Sequence, residues 1–216
     1  MKSFLIVAAA ANAAWSVPAV ERVPPGQLVT SYLGRFNLDI NRNGTVVAYL
    51  TQLAGVPGPL LFNGEAGENT ARFTVVSTPI RLELLRMDAL IHARPVPVSG
   101  DAVRFRLYYD EFPAVRDSKL PETYQTGRLV AVLRGRPWSF TAVPLLMAHA
   151  EGVQELESSE DFFIQGQRVN FRQVTEAIRT NILGGPTPAV RSDAETLSFP
   201  IGGTAVAVEA FPPRTQ

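Results

Sequence analysis

The chain of 216 residues carries 20 basic and 20 acidic side chains, two histidines and no cysteine. Without cysteine, a disulfide framework, a thiolate nucleophile, a thiolate metal site and a lipid-anchored cysteine are all excluded. A formal charge of zero offers neither the basic excess that nucleic-acid binding requires nor a polybasic anchor for an anionic membrane.

The composition, 46% hydrophobic and 19% charged, is that of a globular protein, and the length suits one domain with a substantial core. All but two of the basic residues, Lys2 and Lys119, are arginine, a skew that fits a coding bias as well as any functional demand.

The N-terminus has the order of a secretory signal peptide. Lys2 precedes an apolar run from Phe4 to Ala11, and Ala11-Asn12-Ala13 supplies small residues at a cleavage position; a second cut is available after Ser16. The run is far shorter than the roughly 20 apolar residues of a membrane-spanning helix. The alternative is a buried first strand. Export without cysteine points to a bacterial periplasm or exterior rather than to a eukaryotic ectodomain.

Residues 17–31, with Pro18, Pro24, Pro25 and Gly26, read as an extended leader. Alternation at Phe36, Leu38 and Ile40, followed by Asn43-Gly44 and a β-rich run, predicts strands at 33–41 and 45–53 joined by a tight turn. A loop follows at 55–68, then strands at 71–77 and 80–85. Pro95, Pro97 and Gly100 punctuate the middle of the chain.

Residues 103–109 alternate with period two, a half-buried strand. A polar connection at 110–126 leads to strands at 129–133 and 138–143, and 145–156 fits either a strand or a short helix. A hairpin is predicted around Gly166. Val174, Ala177, Ile178 and Ile182 share a helical face, which predicts a helix over 172–183 stopped by Gly184-Gly185-Pro186. Strands at 196–201 and 204–211 flank Gly202-Gly203. The expected fold is a single all-β domain over 32–216: an antiparallel β-barrel or a two-sheet β-sandwich of about nine or ten strands, with one α-helix in the C-terminal half.

The chemistry-bearing motifs are sparse. Asp39 to Gly44 starts like a calcium loop, but the twelfth position is Leu50, so the closing carboxylate is missing. Asn43-Gly44-Thr45 is a glycosylation sequon whose meaning depends on the host. His92 and His149 have no partner at metal-ligand spacing, and no metal or cofactor is expected. There is no Gly-x-Ser-x-Gly, and Gly184-Gly185 follows a predicted helix, whereas a phosphate loop precedes one.

Asp110-Glu111 and the cluster Glu155, Glu157, Glu160 and Asp161 contain enough carboxylates for glycoside hydrolysis, but neighbouring acids usually form a solvated edge. Arg104 and Arg106 share one strand face, as do Arg134 and Arg136. Turned into a barrel they would grip a carboxylate or phosphate; turned outward, the commoner case, they solvate the wall.

Arg104, Arg106, Tyr108, Arg134, Arg136 and His149 are therefore the candidate ligand-binding residues, and no catalytic residue is assigned. The leading reading is an exported, non-catalytic binding or structural protein whose partner is a small molecule or an envelope component. It would use the sheet, the barrel interior or the loops near 55–68 and 110–126. A small cofactor-free cyclase or isomerase, drawing on Tyr108, Tyr109, His149 and Arg106, is the alternative. The third is an outer-membrane barrel, which the 17 prolines disfavour; no membrane span is expected in the mature chain.

Overall fold

A computed structural model describes residues 21–136, 138–143, 147–185, 190–191 and 196–210. The fold is a closed antiparallel β-barrel with eight strand positions around its wall. Five are single strands: β1 (Leu28–Asp39), β2 (Asn43–Leu53), β9 (Met147–Ser159), β12 (Ala177–Gly184) and β14 (Thr196–Ala207). The other three positions are each filled by two strands end to end. These are β3 (Phe73–Ser77) with β4 (Ile80–Met87), β5 (Ile91–Pro97) with β6 (Arg104–Tyr109), and β7 (Arg128–Gly135) with β8 (Ser139–Val143). Closure comes from the pairing of β1 with both β14 and β2.

The interruptions lie side by side and divide the barrel into two storeys. Below them the wall between β2 and β9 runs β3, β6, β7. Above them it runs β4, β5, β8. Pro79 has no N–H to continue the ladder between β3 and β4, and Gly100, at φ +80°, turns the chain between β5 and β6. The waist is tied by the Thr78 and Gly135 N–H groups, which donate to the carbonyls of Arg104 (2.7 Å) and Val103 (2.8 Å).

The lower end is plugged. β10 (Phe162–Ile164) and β11 (Gln167–Val169) form a hairpin, and α1 (Phe171–Val174) follows it. Phe162 and Phe171 join Phe73 and Tyr109 in an aromatic cluster with ring centroids 5.0–6.2 Å apart. The Val23 N–H donates to the Val174 carbonyl at 2.9 Å and seats the incoming chain there.

Residues 110–126 pack on the outside of the barrel. Tyr124 is fully buried against Val47, Val76 and Tyr108, and the buried Arg116 guanidinium donates to the carbonyls of Glu68 and Ala71. Desolvation lowers the Arg116 pKa from its ordinary value.

The expected all-β fold is found, and of barrel and sandwich it is the barrel. Several details are corrected. Residues 28–31, read as leader, begin β1; residues 1–20 lie outside the described residues. The first turn falls at residues 40–42, with Arg42 at φ +63°, and Asn43-Gly44 belongs to β2. Gly44 is required there for a different reason, because a Cβ would meet the Phe36 ring at 2.4 Å.

The helix over 172–183 is a single turn, and β12 occupies most of its length. Ile178 and Ile182 are four apart, which satisfies a period of two as well as 3.6, and pairing with β9 and β14 decides between them. The two last predicted strands are one, β14, running through Gly202-Gly203; β13 (Val190–Arg191) pairs with its start. β5 was hidden by Pro95 and Pro97. Residues 147–159 are strand throughout.

Candidate functional site

Paired residues in an antiparallel ladder share a face, so the register fixes which side chains point inward. Above the waist the inward set runs Phe36 and Leu38, then Ile80, Leu82 and Leu84, then Ile91, Ala93 and Pro95 on β5. It continues with Phe140 and Ala142, Ala148 and Ala150, Ile182 and Gly184, and returns through Ile201, Phe199 and Leu197. Every one of them is apolar. Most are only half-covered, with Leu84 at 43% and Leu197 at 39% exposure. Among the described residues the upper storey is therefore an open apolar cup.

Its floor is built around Trp138. The indole lies over Gly152, where a Cβ would come within 2.4 Å of the ring, and stacks on Phe105 at 5.3 Å between centroids. Glycine in mid-strand is thus the means by which β9 admits a ring at the waist.

Below the floor lies a cavity of about 60 Å³. Its wall is apolar except for Thr30, Tyr32, Gln154, Thr175 and Thr180. Three of the hydroxyls donate to backbone carbonyls: Thr30 to Gln52 (2.7 Å), Thr175 to Ala177 (2.7 Å) and Tyr32 to Asn181 (3.2 Å). Tyr32 reaches that carbonyl across Gly203, and burial raises its phenol pKa. The Thr180 hydroxyl, in a residue 3% exposed, has no partner.

The sequence-derived candidates lie elsewhere. Arg104, Arg106, Tyr108, Arg134 and His149 all face outward, as their register with Arg134, Val132, Leu129, Arg104 and Thr141 shows. Arg104 binds Glu157 in bidentate fashion (2.7 and 2.9 Å) and Asp101 at 3.1 Å, and Arg134 also reaches Asp101 at 2.7 Å. The hydrogen bond from Arg104 is the main reason that the Glu157 and Asp101 carboxyls are held below their ordinary pKa.

The acidic cluster resolves in the same way. Glu155 pairs with Arg136, Glu157 with Arg104, Glu160 with Arg128 and Asp161 with Arg168. Each acid has its own arginine, and none forms a facing carboxylate pair. Arg104, Arg134 and Arg136 are thus brought together on one outer patch, whereas Tyr108 lies lower, under the 110–126 segment, with its hydroxyl 3.5 Å from Gln125.

His149 is at the other end of the wall. It and His92 flank Thr141 on the outer face of β9, β8 and β5. No group of three or more His, Asp or Glu side chains that could hold a metal occurs among the described residues.

No protein-family model, curated protein or solved structure matches the chain. The cup and the cavity therefore speak for themselves. Sequence reasoning named the barrel interior as a possible binding surface but none of the residues that line the cup or the cavity. A signal was present for Thr180: the run Ile178-Arg179-Thr180-Asn181-Ile182 alternates, and as a strand it sends Thr180 inward between two isoleucines.

Proposed function

We propose that this is an exported, non-catalytic binding protein that takes an uncharged apolar molecule into the open upper end of its barrel. The observation that carries the reading is the inward face above the waist. It is wholly apolar and yet incompletely covered, whereas ordinary cores bury such residues. Eight-stranded barrels have interiors just wide enough for side chains or one small ligand, and apolar pockets with few polar groups are the usual form of small-molecule sites. Export rests on the signal-like order of residues 1–16.

The polarity of the wall weighs against the outer-membrane alternative. Arg35, Arg106, Arg134, Glu151, Glu155 and Arg179 face outward, where a membrane barrel carries its apolar band. No helix among the described residues is long and apolar enough to cross a membrane.

The test is a titration of the chain from residue 17 onward with N-phenyl-1-naphthylamine, an uncharged apolar fluorophore. Trp138 at the floor serves as the energy donor, since the other tryptophan, Trp15, precedes residue 17. Saturable binding that Ala150→Trp reduces at least tenfold is expected. Absence of saturable binding, or equal binding by the filled variant, overturns the reading.

A further inference from the structure

The apolar lining of the cup continues onto its lip. We propose, on the reading of the cup as a site for an apolar molecule, that its mouth docks on a lipid bilayer carrying anionic headgroups, from which that molecule enters.

The upper end of β2 is Asn43, opposite Arg81, whereas β4 runs on to Met87 and returns as β5, so this hairpin stands beyond its neighbour. Exposure rises along it toward the tip, from 43% at Leu84 to 63% at Leu85 and 71% at Met87. Leu85 is placed by a bulge: the register passes from Leu84 with Ala93 to Arg86 with His92 and leaves Leu85 without a partner. Met87 pairs with Ile91 and so carries the inward apolar face to the lip.

The adjacent β1–β2 turn adds Ile40, also 71% exposed. It is tied to the hairpin by the Leu82 N–H, which donates to the Arg42 carbonyl at 3.0 Å. Hairpin tips in water are ordinarily polar, so three large apolar side chains on neighbouring tips mark an interaction surface.

Charge says which surface. Arg42 and Arg81 are exposed beside these tips and enter no salt bridge among the described residues. The acids of the mouth are already engaged: Glu83 with Arg94, Asp88 with Arg86, and Asp39 with the Asn43 N–H at 2.8 Å. The lower end also exposes apolar side chains, Phe112 and Val115 above all. There, however, Asp110, Glu111, Asp117 and Glu122 stand against Lys119 and an Arg116 spent on backbone carbonyls. An anionic bilayer, whose field reaches about 10 Å, repels that end and accepts the mouth. With two free cations the electrostatic share is small, and the apolar tips supply most of the hold.

The experiment is co-flotation of the chain from residue 17 with vesicles of phosphatidylcholine and phosphatidylglycerol in equal parts. The parent is expected to float, and Leu85→Ser with Met87→Ser to lower its partitioning at least tenfold. Phe112→Ser with Val115→Ser should leave it unchanged. Arg42→Gln with Arg81→Gln should weaken flotation with the mixed vesicles but not with phosphatidylcholine alone. All these side chains are exposed, and Trp138 emission checks that each variant keeps the fold. Because the chain has no cysteine, Met87→Cys and Phe112→Cys each take a single environment-sensitive NBD label. Its emission should shift to the blue on vesicles at Met87→Cys only.

The proposal is overturned if the parent does not float, if either the Leu85 and Met87 variant or the Arg42 and Arg81 variant floats with mixed vesicles as well as the parent does, or if the label shifts at Phe112→Cys instead. The fluorophore titration needs no vesicles, so a parent that binds the fluorophore but does not float overturns docking alone.

Discussion

At the scale of single residues, the glycines record where rings must pass. Gly152 makes room for Trp138, Gly44 for Phe36 and Gly203 for Tyr32. In Gly152→Ala the new methyl would meet the indole at 2.4 Å, with the ring held from its other side by Phe105. Overpacking of this kind costs ~1–3 kcal/mol, and removing a mid-strand glycine returns ~0.5–1 kcal/mol. The expected outcome is a net loss of about 1–2 kcal/mol in urea unfolding, with Trp138 emission shifted to the red as the ring leaves the floor. Unchanged stability and emission would show that the ring does not rest on Gly152.

At the scale of elements, the strands fall into two grades. β1, β2, β9, β12 and β14 have partners on both sides, and β1 and β14 are matched over eleven residues each. The upper wall is held more thinly. β4 meets β2 at only two positions, Asn43 with Arg81 and Gly44 with Ile80, and β5 meets β8 at three. Amide hydrogen exchange should therefore show β4, β5 and β8 opening at lower free energy than β12 and β14. Uniform protection around the barrel would contradict it.

The same distinction explains what could be read in advance. β6 was legible because Phe105 and Leu107, which face the core, alternate with the charged Arg104 and Arg106. β5 was not, because its prolines sit where the thin upper ladder tolerates them. β12 was ambiguous for arithmetic reasons, as a spacing of four serves both periods. The lining of the cup was not legible: it is contributed by seven strands, and inward and outward faces are defined only once the ring closes. The arginines drew attention because charge is visible in a sequence, whereas the absence of charge from a shared interior is not.

At the scale of the whole molecule, the described barrel is mainly apolar within, and Arg35, Arg106, Arg134, Glu151, Glu155 and Arg179 stand on its outer face. The chain from residue 17 should accordingly stay monodisperse in detergent-free buffer, as sedimentation velocity would show. Recovery only in detergent would return the outer-membrane reading to contention. The plug also has a place along the axis: the long connections at 54–72, 110–127 and 160–176 gather at the lower end, whereas β1–β2 and β4–β5 are joined at the upper end by short turns.

The waist has an evolutionary corollary. In an unbroken strand such as β9, inserting one residue exchanges inside for outside in everything beyond it. At residues 98–103 the chain leaves one ladder before entering the next, so an extra residue there is absorbed in the turn and both ladders stay in phase. The breaks act as expansion joints. The mouth can be lengthened, shortened or reshaped by mutation while the plugged half below keeps its register, so variation in what is bound need not be variation in what folds.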